Sequence, residues 1–568
     1  MSQRLEDNKP IIGSHGERFL SGFGIHTVGF NAGKDENGNS LTFKLGRILI
    51  LIGPNNAGKT KALKEIHNWC IGNEERGLIL NEQATNLDLS FDELSEILRS
   101  SFETTDTGEF LIHSGQPDGP FGSHRVKISD LEQSLSANNY REFRRRVLQH
   151  FQVFLDSASR LQLVRGMDAA GMHRPPINLM HKLQLDKRAR ERVRFHLKEV
   201  FKKSFMIDPI AVTELHPTLS AQTPDDSLEF SFSTQAVEFF SKSKRINESF
   251  GDGVKAYCGM SAAILGMHYS ILMIDEPEAF MHPPLIRQFA RMSAREAISR
   301  NGTLIVATHS ADFLMGCLEE AVEQVSIVRL DYLNDEAQAN YVPPARLKQL
   351  IRDPRIRSTA LLKGLFHRCT IIVEAEGDRV FYDEVNRQLI DQSQGIADAH
   401  FTQAPSKNMV VSMVENLREF GLPAAGIVDV DYLFDDAAEH KRTYQKLGMA
   451  TGAVDRLENL RKELRNQVNQ EDKKKLKKCP RDVLNNEMYE VFNSYISELA
   501  NWGIFVVPVG QLESWLSRCN LQDTSKRKWL DIALDSISPT STQQLLYPED
   551  GDVGTFINSI GKWAAKQH

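Results

Sequence analysis

The stretch Gly53-Pro-Asn-Asn-Ala-Gly58-Lys59-Thr60 fits G-x-x-x-x-G-K-[ST] at every fixed position. An apolar run, Ile48 to Ile52, leads into it and reads as a buried strand; Lys61 to Trp69 reads as a helix. In that setting Gly53 and Gly58 let the backbone curl through Asn55 and Asn56, so that N–H groups face phosphate oxygens at a helix N-terminus. Lys59 is expected to reach the β- and γ-phosphates and the Thr60 hydroxyl to sit on Mg2+, so the expected ligand is ATP with Mg2+.

Two later stretches complete such a site. Ile271-Leu-Met-Ile-Asp275-Glu276-Pro-Glu278 is an apolar run ending in carboxylates. There Asp275 is placed to hold Mg2+ and Glu276 to polarise an attacking water. Thr303 to Thr308 reads as one more buried strand and delivers His309, which arrives where a γ-phosphate-sensing histidine would. Ser249, Gly251 and Gly253, opening a helix, are candidates to present N–H groups to a γ-phosphate. Strands and helices in this order imply a mostly parallel sheet with its site at the strands' carboxyl ends.

The C-terminal third repeats the pattern with more acid. Thr370 to Val373 is a short apolar run ending at Glu374, with Asp378 four residues on; Ala425 to Val428 ends at Asp429 and Asp431. Alternate residues of a strand share a face, which projects the two aspartates together. Parallel neighbouring strands would bring Glu374 to the same sheet edge. Carboxylates gathered this way call for divalent cations, and oxygen ligands select Mg2+ or Mn2+.

At 568 residues the chain is long enough for two or more domains. The expected division is an ATPase domain over 1–345, with a largely helical insertion and dimerisation arm at about 82–240, and a second α/β domain over 346–568, with a helical insertion at about 435–499. A charged fraction of 25% and a hydrophobic fraction of 41% are those of an ordinary globular protein, and no apolar run is long enough to span a membrane. The six cysteines form no C-x-x-C pair, which fits a reducing cytoplasm. A net charge of −7 confines any contact with DNA to local basic patches, of which Arg144-Arg145-Arg146 and Lys473 to Lys478 are candidates.

The phosphate loop, the Gly251/Gly253 segment, IDEPE and THS resemble the ABC-type ATPase head of the RecF, SMC and OLD families. In that group two heads sandwich ATP, so the resemblance implies a homodimer or higher homo-oligomer. SFGDGVK differs from the group's usual LSGGQ signature, and Gln83 stands as a candidate for its glutamine loop. VEAEGD at 373–378 with AGIVDVD at 425–431 resembles a TOPRIM domain, Ala375 standing where that pattern has glycine. An ATPase head joined to TOPRIM resembles the OLD (overcoming lysogenization defect) nucleases, including the Gabija-type and retron-associated antiphage effectors. The resemblance implies metal-dependent cleavage of DNA, with two metal ions held by Glu374, Asp429 and Asp431 and assisted by Asp378 and Glu513. It also implies control by nucleotide state, a role for Lys562 at the scissile phosphate, and a partner such as a reverse transcriptase with its DNA product, or a helicase. The alternative is an ATP-dependent DNA clamp of the RecF or SMC kind with a degenerate TOPRIM site.

Overall fold

Short runs of Ile, Leu, Val and Ala form the central strands of two sheets, one mostly and one wholly parallel. In the computed structural model the described residues are 25–34, 40–73, 77–81, 86–87, 103–105, 108–136, 140–333, 336–352, 362–435, 437–515, 526–537 and 553–566. Contacts divide the chain into two units, Met1–Ile52 with Gly58–Ala345, and Arg346–His568 with Gly53–Ala57. Gln83 and the turn at 35–39 lie outside the described residues.

In the first unit, β1 (Ile25–Lys34) and β2 (Ser40–Lys44) pair antiparallel. β3 (Ile48–Ile52) leads through the phosphate loop into α1 (Lys59–Cys70). Next in the main sheet come β4 (Gln152–Leu155), α2 (Asp252–Gly266), β5 (Ile271–Asp275), α3 (Pro283–Ser299), β6 (Thr303–Ala307) and α4 (Ala311–Ala321). A hairpin of β7 (Val325–Leu333) and β8 (Glu336–Val342) closes it. The six strands lie in the order β8-β7-β3-β6-β5-β4, all parallel but β8. Every residue of β3, β5 and β6 is buried, which is why those runs are apolar throughout rather than alternating.

One expectation changes. The stretch 82–240 is not one helical insertion, because β4 pairs parallel with β5 and is a strand of the main sheet. Flanking it are a hairpin of Glu109–Ser114 with Gly122–Lys127 and another of Ser204–Asp208 with Glu214–Ser220. Within the stretch two helices follow one another, Leu179–Leu185 and Lys187–Phe201. Asp186 divides them: its carboxylate accepts the Ala189 N–H at 3.0 Å and caps the second helix.

The second unit holds a four-stranded parallel sheet. Its elements are β9 (Cys369–Val373), α5 (Glu376–Asp391), β10 (Ala399–Gln403), α6 (Val410–Arg418), β11 (Ala424–Val428), α7 (Gln470–Lys478), α8 (Asn486–Asn501), β12 (Ile504–Val506) and α9 (Val553–Lys566). The order is β10-β9-β11-β12. One face of the sheet packs Ile371, Val373, Phe381, Tyr382, Phe505, Trp529, Ile557 and Trp563 into a core.

Replacing Asp186 by Ala is expected to cost about 1 kcal/mol, read as a lower denaturation midpoint for the first unit. Burial holds His150 and His196 near 4, well below their ordinary 6.5, with His124 adding to the effect on His150. Each is neutral in the folded chain, so the stability it permits is present above pH 6.5 and lost as pH falls toward 4. Thermal unfolding should therefore move to lower temperature between pH 7.5 and pH 5, since in the unfolded chain these rings protonate below about 6.5 while in the folded chain they stay neutral down to about 4. A His196→Gln variant, which can still bond the Tyr257 hydroxyl that His196 meets at 2.9 Å, should show a flatter profile.

Candidate nucleotide and metal sites

The phosphate loop needs backbone that most residues avoid. Gly53, Asn56 and Gly58 all have positive φ, of 142°, 62° and 86°. A Cβ on Gly58 would also meet the Ile79 side chain at 2.8 Å. Asn55 and Asn56 are exposed on the loop, while Lys59 opens α1 and is buried. Burial lowers the Lys59 ammonium to about 8, although Glu276, Glu278, Asp275 and Asp331 all pull it upward. The Thr60 hydroxyl donates to Asp275 Oδ1 at 3.0 Å. The bond joins the residues expected to hold Mg2+, and two hard oxygen donors side by side fit that ion.

Glu276 follows β5 in the left-handed region at φ 46°, its N–H bonded to the Ala307 carbonyl at 2.8 Å. This turn aims its carboxylate at His309, with Nε2 and Oε1 3.8 Å apart. Glu278 is the residue that fixes the histidine's backbone: its carboxylate accepts the Thr308 hydroxyl at 2.7 Å and the His309 N–H at 2.5 Å. Arg160 completes the arrangement from the segment after β4. It is fully buried and donates to the Asp275 and Glu276 carbonyls at 2.6 Å each. No sequence signal marked Arg160, whereas Glu278 stood inside the IDEPE motif without an assigned role.

The glycine segment has a packing reason of its own. A Cβ on Gly253 would meet the Phe280 carbonyl at 2.5 Å, just beyond IDEPE. Gly251 is the N-cap of α2 with open space around it, and Ser249 ends a one-turn helix, Ile246–Ser249.

In the second unit, parallel pairing of β9 with β11 sets Glu374 and Asp429 side by side at the strands' carboxyl ends. The Asp429 N–H donates to Glu374 Oε1 at 2.9 Å. Carboxylate oxygens of Glu374, Asp429 and Asp431 lie within 4.8 Å of one another. Strand alternation is not what gathers the aspartates. β11 ends at Val428, and Asp431 reaches the cluster on a 3-10 turn, Val430–Phe434, that Asp429 opens. Burial pushes the Glu374 and Asp429 carboxyls up to about 7; the charge of Asp429 adds to the first, and Lys477 pulls back on the second. Asp431 Oδ1 is buried with no hydrogen-bond partner. Crowded, desolvated oxygens of this number fit a divalent cation of the Mg2+ or Mn2+ kind.

Asp378 and Glu513 stand outside this cluster among the described residues. Asp378 accepts the Ala375 N–H at 3.0 Å and so caps α5, while Glu513 lies in the turn Leu512–Ser514. Ala375 is extended at φ −142°, a conformation in which a side chain costs nothing, so the missing glycine does not distort the turn. Lys562 lies on the exposed side of α9. The lysines that reach the acids are others: Lys477 Nζ is 3.0 Å from Asp431 and 3.4 Å from Asp429, and Lys407 Nζ is 3.5 Å from Asp431. Of the basic run Arg144 to Arg146, Arg144 is buried over the Trp69 ring at 4.4 Å rather than offered to DNA.

Lys59→Ala is expected to weaken binding of a fluorescent ATP analogue at least about tenfold, the loss of one charge-assisted contact. Arg160→Met, which leaves both carbonyls buried and unbonded, is expected to destabilise the first unit by about 2 kcal/mol or more in thermal unfolding.

Residues 48–316 match a protein-family profile described as "AAA domain, putative AbiEii toxin, Type IV TA system". Protein ea59 of Escherichia phage lambda is 36% identical over 69 residues, which are 11% of this chain and 13% of that protein, so the chain matches only a small part of that relative's length. An SMC head bound to the C-terminal winged-helix domain of ScpA is similar over 57% of this chain and 99% of its own, at 11% identity and a TM-score of 0.33. The SMC head domain from Thermotoga maritima is similar over 56% of this chain and 98% of its own, at 12% identity and a TM-score of 0.28. With Lys59 and Thr60 opening the helix after β3, and the IDEPE carboxylates on the mostly parallel sheet, residues 48–316 are an ATP-binding domain with the fold of an ABC-type P-loop ATPase head.

Proposed function

We propose that the chain is an ATP-binding, divalent-metal-dependent DNA endonuclease of the OLD type, gated by nucleotide state and acting in bacterial antiphage defence. The observation that carries the nuclease reading is the convergence of Glu374, Asp429 and Asp431 within 4.8 Å at the carboxyl edge of a parallel sheet. A cation bound there supplies the Lewis acid and a water made acidic enough to attack phosphorus at neutral pH. Glu374, Asp429 and Asp431 hold it, and the lysines beside them meet the charge of a phosphodiester. In the first unit Lys59 and Thr60 hold the ATP phosphates and their Mg2+, Glu276 polarises the hydrolytic water, and His309, held beside Glu276, senses the γ-phosphate. Ser249, Gly251 and Gly253 face the nucleotide of a second copy in a homodimer or larger assembly. The defence role is supported by the toxin-system description of the matching family and by a phage relative. A reverse transcriptase with its DNA product, or a helicase, is the partner that role calls for.

A second reading, an ATP-dependent DNA clamp whose acidic site never cuts, is favoured by one observation: Asp429 and Asp431 already have an internal cation in Lys477. Full-length protein incubated with plasmid DNA and Mg2+ or Mn2+ separates the two. The nuclease reading expects nicking that falls by more than about 100-fold in Glu374→Ala and Asp429→Ala. Nicking that survives both substitutions removes these residues from the chemistry. ATP-dependent DNA binding with no cutting under either metal selects the clamp.

A further inference from the structure

A cavity of about 860 Å3 opens in the first unit, and its lining shares no residue with the nucleotide site. One wall is Gly122–Lys127, the outer strand of a three-stranded sheet among the described residues. The other is the helix Tyr140–Arg146 with the turn Leu148–Phe151 that follows it. Alternation along the strand exposes Arg125 and Lys127, and the helix exposes Arg145 and Arg146. All four line the cavity. Among the described residues Glu142 is the one acid in the lining, and it is bonded to Arg146, which also meets Asp130 at 2.6 Å. Arg125 and Lys127 come only within 4.0 and 3.8 Å of Glu109, beyond hydrogen-bond reach, and are 72% and 60% exposed. With Arg145, three cations stand open to solvent around one cavity.

The rest of the lining adds no charge against them. His124 and His150 lie with ring centres 4.1 Å apart, and burial holds His150 near 4, so that ring is neutral at neutral pH. The helix opposite the strand is firmly seated. Arg144 is buried over the Trp69 ring of α1 at 4.4 Å. Gly72, just past the end of α1, has φ 69°, and a Cβ there would meet the Arg141 carbonyl at 3.0 Å and the Arg145 backbone nitrogen at 3.1 Å. Arg145 therefore projects from backbone packed on the end of the phosphate-loop helix. Charge on an edge strand by itself guards against pairing with another chain. That purpose needs no cavity and no cation on a facing helix.

We propose that this groove is a docking surface for the phosphodiester backbone of DNA, built from residues of the first unit alone. The proposal rests on the DNA-binding part of the reading above, which the nuclease and the clamp share. Charge complementarity selects the occupant. The chain carries a net −7, so most of its surface repels a polyanion and only a gathered set of cations holds one. Arg125 and Arg145 offer planar guanidinium forks that match phosphate oxygens, and Lys127 adds a point charge. Contacts of this kind fix the strand in place without reading its bases. Each one also displaces a counterion, so the binding weakens steeply with salt.

Salt dependence is the test. Full-length protein in EDTA, which keeps cutting out of the measurement, is titrated into a labelled DNA duplex over a series of KCl concentrations, and binding is read by fluorescence anisotropy. The variant carrying Arg125→Gln, Lys127→Gln and Arg145→Gln together is expected to bind at least about tenfold more weakly. Its plot of log affinity against log salt should be shallower by about 2.7, or about 0.9 for each lost phosphate contact. Arg145→Gln alone, a single exposed change, should account for about 0.9 of that slope and keeps the test sound if the triple variant folds poorly. Natural protein that binds DNA with the same affinity and slope as these variants would overturn the proposal and leave the DNA reading standing. Labelled poly-glutamate held as tightly as the duplex at equal salt would assign the groove to acidic proteins and also overturn it. Natural protein that binds no DNA at any salt would bring down the DNA reading, and this proposal with it.

Discussion

Carboxylates at the end of buried strands are the constraint on which both halves of the chain turn. Parallel sheets place their sites where strands stop, and the strands stop inside the protein. Acids set there lose water and resist ionisation: Asp275 and Glu278 in the first unit and Glu374 and Asp429 in the second all have carboxyls raised by burial. An acid that must carry charge in such a place needs a cation or hydrogen-bond donors close by. In the first unit the answer is mixed. Lys59 brings a charge, Thr60 a hydroxyl, Thr308 and His309 donate to Glu278, and Arg160 bonds the carbonyls of the same turn. In the second unit it is Lys477 and Lys407.

Those cations come from outside the strand-and-turn motifs they serve. Arg160 belongs to the segment after β4, and Lys477 to the last turn of a helix between β11 and β12. Segments of this kind are easily taken for decoration on a shared fold. Here they carry the groups that make buried acid tolerable, so the chemistry of each site depends on sequence the sheet alone does not require. Removing such a segment would leave the strands with carboxylates but without the charge that lets them ionise.

The division between what was legible and what was not follows sequence separation. The phosphate loop was readable because each of its requirements is local: apolar strand, positive φ at glycine, helix start. The pairing of Glu374 with Asp429 was readable one step further out, since apolar runs separated by a helical stretch favour parallel neighbours. The approach of Asp431 was expected from strand alternation and is produced instead by a 3-10 turn, because Val430 N–H bonds Gly510 and bends the chain away from β11. Asp378 fitted the spacing of a ligand and stands at the third position of a helix, where one of its oxygens accepts the Ala375 N–H as a cap. Lys477 was legible only as part of a basic run offered to DNA, and Arg160 not at all, as nothing near them in sequence says which distant groups they meet. β4 was hidden for the same reason: a four-residue strand flanked by hairpins and helices has no signature of its own until β5 lies beside it.

Ala375 shows how a departure from a pattern is to be weighed. A glycine in such a motif matters when its φ is positive or when a neighbour occupies the space of a Cβ. Neither holds here, for Ala375 is extended and serves as the N-cap of α5, its N–H bonded to Asp378. Gly510 is the opposite case, with φ 110° and a carbonyl where a Cβ would stand. By this criterion the second unit tolerates its substitution at 375 and would not tolerate one at 510. The residue that decides the geometry of the acidic site therefore lies some 135 positions from the motif that first drew attention to it.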